Sequence, residues 1–154
     1  PTVINGFTVY ATHHKLAEIS EAVKKGEEVL LFIDELNRCD HAVQQELMNL
    51  ILNREINGYK LDKGVNIAFD TIGKNNYQPD ENRVKWLREL CLSGYSNQIV
   101  MSVDITRKSH FKENGGIGYS YLIDTFVPML LKSEIKDKHI ENMLVNNIKR
   151  IYQL

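Results

Sequence analysis

The chain is poor in the features that most often announce a function. It has only two cysteines, Cys39 and Cys91, and they form no Cys-x-x-Cys pair. Two thiols in or beside expected helices make no disulfide framework, so reduced structural cysteines are the simplest reading. Basic residues (19) and acidic residues (20) nearly cancel, giving a net charge of −1. A nucleic-acid binder normally carries a basic excess or stripe, and none is present. The lysines of Lys24-Lys25 and of Lys132 to Lys138 alternate with acids, as on a solvated face. No apolar run approaches the roughly 18 residues of a membrane span. The N-terminus has no basic-plus-apolar leader. A soluble, cytoplasmic-type protein with neither nucleic-acid nor membrane partner is expected. The chain begins at Pro1 without a Met, which points to processing or a recombinant origin.

What is present reads as alternating strands and helices. Phe7 to Ala11 is β-rich. His14 to Lys25 places Leu16, Ile19 and Val23 at helical spacing and stops at Gly26. Val29 to Ile33 is a short apolar run, the pattern of a strand buried on both faces. Asp40 is a natural cap for a helix over His41 to Arg54, and Asn57-Gly58 is a turn signal. Val65 to Phe69 predicts a third strand. Asp80 is expected to cap a helix carrying Val84, Leu87, Leu90 and Cys91, ended by Gly94. Ile99 to Val103 predicts the fourth strand. A helix over Tyr119 to Lys132, interrupted at Pro128, and another over Asp137 to Tyr152 complete the chain. The order β-α-β-α-β-α-β-α-α predicts an α/β fold around a four-stranded parallel sheet. Right-handed crossovers in sequential strand order would give a half-barrel; another order would give a small doubly wound sheet.

The segment VLLFIDELNRCDHAVQQELMNLILNREINGYKL, Val29 to Leu61, resembles the Walker B strand and following helix of MoxR-like AAA+ ATPases. The resemblance extends from about Gly6 to Asp62. It implies that Asp34 and Glu35 are the acids that hold Mg²⁺ through water and activate the attacking water. The rest of such a site is missing. No G-x-x-x-x-G-K-[ST] loop precedes Asp34, and Gly73-Lys74 is followed by Asn75. Asp34 and Glu35 therefore read as a vestigial pair.

From Gly64 onward the chain resembles the last two β/α units of phosphotriesterase-related, lactonase-like barrels. The resemblance rests on VNIAFDTIGKNNYQPDENRVKWL, IVMSVDITRKSHF and the following segment to Tyr152. It implies that Asp104, at the end of the last barrel strand, is a ligand of a two-metal centre. A His-x-His pair, a bridging Lys and two further histidines supply the other ligands in that family. His13-His14 cannot replace the His-x-His pair, because adjacent strand residues face opposite ways. The family usually has Asn-Pro just before the last Lys-Arg, whereas Ile148 follows Asn147 here. That change suits a continuous helix, since an interior proline would cost about 3 kcal/mol.

Two resemblances that exchange near Asp62 to Gly64 imply an engineered chimera. Residues 1–154 would form one composite domain, 1–63 AAA+-like and 64–154 phosphotriesterase-like. Asp34, Glu35, Asp70 and Asp104 all follow expected strands, and α/β folds place ligands at that edge. Asp70 and Asp104 are expected to be close, as solvated acids or as weak adventitious ligands for a divalent cation. His13 and His110 lack the spacing of a zinc site. Gly115, Gly116 and Gly118 precede a helix and offer a candidate phosphate cradle, with a structural loop as the alternative. The expectation is a protein without a complete active site or a required cofactor, monomeric or homodimeric. Residual metal-dependent hydrolysis and a self-association module are the alternatives.

Overall fold

A computed structural model describes residues 2–4, 7–9, 14–31, 49–56, 59–62 and 64–154. Asp34 and Glu35, together with His13, Cys39 and His41, lie outside the described residues. The chain divides into two compact units, Pro1–Asn66 and Ile67–Leu154.

In the first unit, β1 (Thr2–Ile4) and β2 (Phe7–Val9) pair antiparallel, with Ile4 opposite Phe7. The expected first strand of the parallel sheet is thus half of a hairpin. The two intervening positions are Asn5-Gly6, a pair favoured in two-residue hairpin connections. Helix α1 (His14–Lys24) follows the expected bounds. It ends where Gly26 takes φ +80° and donates its N–H to the Val23 carbonyl at 2.9 Å, a left-handed stop that glycine adopts without Cβ strain. Ser20 Oγ on α1 donates to Asp62 Oδ2 at 2.6 Å, and Tyr59 Oη donates to the Leu16 carbonyl at 2.8 Å. Strand β3 is Val29–Leu31. Residues 49–52 are helical, and the rest of the expected 41–54 helix lies outside the described residues. Asn57-Gly58 separates a short antiparallel pair, β4 (Glu55–Ile56) with β5 (Tyr59–Lys60), where no strand was expected.

The α/β class holds. Among the described residues, the order β3-β6-β7 forms a three-stranded sheet, where β6 is Val65–Phe69 and β7 is Ile99–Met101. Strands β6 and β7 run parallel, with Ile67, Ala68 and Phe69 opposite Ile99, Val100 and Met101. Asn66, placed by alternation on the less apolar side of β6, is buried all the same. Its Nδ2 donates to the Val29 carbonyl and to Glu28 Oε2, each at 3.1 Å, which compensates the burial of an amide.

Helix α2 (Asp80–Leu92) connects β6 to β7 in the second unit. It buries Val84, Leu87, Leu90 and Cys91 as its apolar stripe predicts. Its N-cap is Pro79, not Asp80; Asp80 is the first helical residue and its carboxylate is engaged elsewhere. The next helix begins with a π turn, Leu122–Phe126, and continues as α3 (Val127–Lys132). Pro128 lacks the N–H that an α register would give to residue 124, and the wider register lies just before it. The last helix also contains a π turn, Asn142–Asn146, between α4 (Asp137–Glu141) and α5 (Asn147–Tyr152). Buried Asn147 donates Nδ2 to the Ser96 and Ile99 carbonyls at 2.8 and 2.7 Å. That ties α5 to the start of β7. Phe126, Leu130, Ile140 and Met143 complete the core of this unit, each contributing roughly 1.5–3 kcal/mol by burial. No helix among the described residues is long and apolar enough to cross a membrane.

Candidate functional site

The carboxyl ends of β6 and β7 carry the candidate residues of the second unit. The β6–β7 ladder runs one step past the strands: Ser102 N–H donates to the Phe69 carbonyl at 2.9 Å and Ile72 N–H to the Ser102 carbonyl at 3.1 Å. Those two bonds set half-buried Asp70 level with Ser102. Asp104 lies two residues further along, an offset of roughly 6–7 Å in extended chain. Both segments then turn through left-handed backbone, Thr71 at φ 55° and Asp104 at φ 49°. Non-glycine residues take that conformation at a cost of about 1–2 kcal/mol.

Asp104 faces Lys74, from the loop that follows β6. Lys74 Nζ donates to the Asp104 carbonyl at 2.6 Å and makes a close ion pair with Asp104 Oδ2. The lysine side chain is 13% exposed and the aspartate side chain 34%. The Tyr77 ring flanks the ammonium at 6.0 Å, the outer range of cation–π attraction.

A buried polar network holds that loop. Asp80 and Arg83 pair at 2.7 Å with side chains 2% and 4% exposed. Asp80 Oδ1 also accepts the Gly73 N–H at 3.2 Å, and Oδ2 accepts the Tyr121 hydroxyl at 3.0 Å. Arg83 donates to the Gln78 carbonyl and, at 3.3 Å, to Thr71 Oγ1. The buried pair thereby grips both ends of the 71–78 turn. Burial, then the hydrogen bond to Asp80, raises the Tyr121 hydroxyl above its ordinary range. A Cβ on Gly73 would meet Ile117 Cδ1 at 2.5 Å and the Tyr121 ring at 2.8 Å, so only glycine lets the turn lie this close.

The glycine cluster sits beyond this network. Gly115 donates its N–H to the Lys112 carbonyl at 3.0 Å, Gly116 to Phe111 at 3.0 Å, and Gly118 to His110 at 2.9 Å. All three amides of the candidate phosphate cradle are thus engaged within their own loop. A Cβ on Gly116 would collide with the His110 backbone. His110 Nδ1 accepts the Thr106 N–H at 3.3 Å, which fixes the ring in the same loop.

A lone carboxylate paired with an ammonium makes a poor metal site. Zinc needs three or four protein ligands and calcium six or more oxygens. Among the described residues no group of three or more His, Cys, Asp or Glu is placed to hold a metal ion. The described residues around Asp104 do not by themselves fit the two-metal centre that the barrel resemblance implies. From sequence alone Lys74 reads as a failed P-loop lysine and Asp80 as a helix cap. The available signal was Gly-Lys in a loop following a buried strand.

The phosphotriesterase family model matches residues 46–152. The chain belongs to the phosphotriesterase family. It is 45% identical over 93 residues to the phosphotriesterase homology protein of Escherichia coli K12, a match that covers 60% of this chain and 32% of that protein. It is 35% identical over 89 residues to the N-acetyltaurine hydrolase of Dictyostelium discoideum, covering 57% of this chain and 24% of that one. The crystal structure of the E. coli phosphotriesterase homology protein, complexed with phosphate in its active site, superposes with a TM-score of 0.66 at 30% identity. That superposition covers 90% of this chain and 52% of the E. coli chain. The matched segments cover a third or less of the length of these curated relatives. The family match begins at residue 46, upstream of the Asp62–Gly64 boundary read from the sequence. The AAA+-like reading of residues 6–62 and the chimeric origin gain no support from these matches.

Proposed function

We propose that this phosphotriesterase-family chain carries the family's last metal-ligand aspartate, Asp104, without a self-sufficient hydrolytic centre. The observation that carries the reading is the engagement of Asp104 by Lys74. The sequence supports it independently. The five histidines are His13, His14, His41, His110 and His139, and no two stand as His-x-His. A single carboxylate cannot supply a closed set of ligands. Without a bound metal, water keeps a pKa far above neutrality and is a poor nucleophile at neutral pH. The same incompleteness follows whether or not residues 6–62 have a separate ancestry.

Hydrolysis assays on the purified chain test this reading. Its N-acetyltaurine hydrolase relatives make an N-acyl amide with an anionic tail the first substrate to try, followed by an aryl phosphotriester and a lactone. With millimolar Mn²⁺ or Zn²⁺ the expected rate equals that of metal and buffer alone. Turnover above that rate, abolished by Asp104→Ala, would overturn the reading and establish a residual metal-dependent hydrolase.

A further inference from the structure

We infer that Lys74 is a built-in counter-ion that closes Asp104 to divalent cations. The inference rests on reading Asp104 as the chain's candidate ligand, and it turns the misfit between that role and the surrounding residues into a mechanism. Lys74 Nζ engages two oxygens of the same residue, the carbonyl and Oδ2 of Asp104. Those are the hard oxygen donors that Mg²⁺, Mn²⁺ or Ca²⁺ would use. An ammonium and a divalent cation compete for them, because two positive charges a few ångströms apart repel each other.

The lysine is not a loose surface side chain. It is 13% exposed. Its N–H donates to the Thr71 carbonyl at 3.0 Å, and its carbonyl accepts the Tyr77 N–H at 2.9 Å. Asp80 holds the preceding residue, Gly73, and Arg83 holds Thr71 and Gln78 on either side. The ammonium is delivered to Asp104 by a turn fixed at both ends. Such preorganisation lowers the entropy lost in keeping a long side chain in one place. A metal would have to displace a held cation, not fill an open carboxylate.

Mn²⁺ binding to the full chain, followed by the electron paramagnetic resonance of the free ion, tests this directly. The wild type is expected to show no saturable binding at millimolar Mn²⁺. Lys74→Met removes the charge and is expected to bind roughly tenfold more tightly or better. Lys74→Arg keeps the charge and should behave as wild type. Adding Asp104→Asn to Lys74→Met should abolish the gain. Should Lys74→Met lose its native circular dichroism, Lys74→Gln removes the charge while keeping a donor for the Asp104 carbonyl. A folded charge-removing variant that binds Mn²⁺ no more tightly than wild type would overturn the inference. So would a gain that survives Asp104→Asn, or wild-type binding as tight as the variant's. Hydrolysis by the wild type is a separate readout, which bears on the proposed function and leaves the lysine comparison intact.

Discussion

Replacing Arg83 by Met removes the cation of the buried Asp80–Arg83 pair and leaves Asp80, 1% exposed, without its charge partner. Breaking a buried pair from one side costs about 3–5 kcal/mol, most of it the uncompensated charge. The hydrogen bonds to the Gln78 carbonyl and Thr71 Oγ1 go with it. One kcal/mol moves the midpoint of a chain this size by about 2–4 °C, so Tm should fall by roughly 6–20 °C. Urea melts followed by circular dichroism should show a lower midpoint with little change in slope. The double variant Asp80→Asn/Arg83→Met should be less destabilised than the sum of the single changes, because the second change removes the stranded charge. A loss below about 1 kcal/mol for Arg83→Met, or full additivity in the double variant, would show that Asp80 is not left as a stranded charge.

Further outcomes follow from glycine geometry and from buried titratable groups. Gly116→Ala should destabilise by about 2 kcal/mol or more, since its Cβ has the His110 backbone to displace. Gly115→Ala, at φ +82° with open space around it, should cost only about 1 kcal/mol in the same urea melts. The Cys91 thiol, buried and pushed up to about 11 from 9.0 by desolvation, should alkylate about a hundredfold more slowly in the native chain than in denaturant. Mass spectrometry of the Cys91 peptide measures both rates. The Tyr121 hydroxyl is raised above its ordinary 10.0, first by burial and then by its bond to Asp80. Its contribution is complete below pH 10 and is lost as pH rises through the folded value. The stability difference between wild type and Tyr121→Phe should therefore shrink through that alkaline range.

The parts of the fold that were legible are those with a strong period. The Leu16, Ile19 and Val23 stripe gave α1, and the Val84, Leu87 and Leu90 stripe gave α2 with the correct buried side. The β6 run occupies its expected span, while β7 ends at Met101 instead of Val103. Short hairpins were harder. Phe7–Val9 looked like a sheet strand because its partner, Thr2–Ile4, is only three residues long and nearly invisible as a pattern. The π turns add one residue to a helical repeat, too little to shift an apolar stripe visibly. At the candidate site, Asp70 and Asp104 could be placed after their strands from sequence. The Lys74 contact could not, because it depends on the conformation of a turn held by residues as distant as Tyr121. Asp80 illustrates the same limit. An acid before an apolar stripe reads as a cap, whereas here Pro79 occupies that position and the carboxylate serves the loop and Arg83.

Asp104, the candidate metal-ligand aspartate, is already occupied by Lys74. Anomalous diffraction from crystals of the wild-type chain soaked in millimolar Mn²⁺ tests it most directly. Lys74 Nζ should still be seated on Asp104 Oδ2, with no anomalous peak beside that carboxylate. A peak at bonding distance from Asp104, with Lys74 swung away, would contradict it.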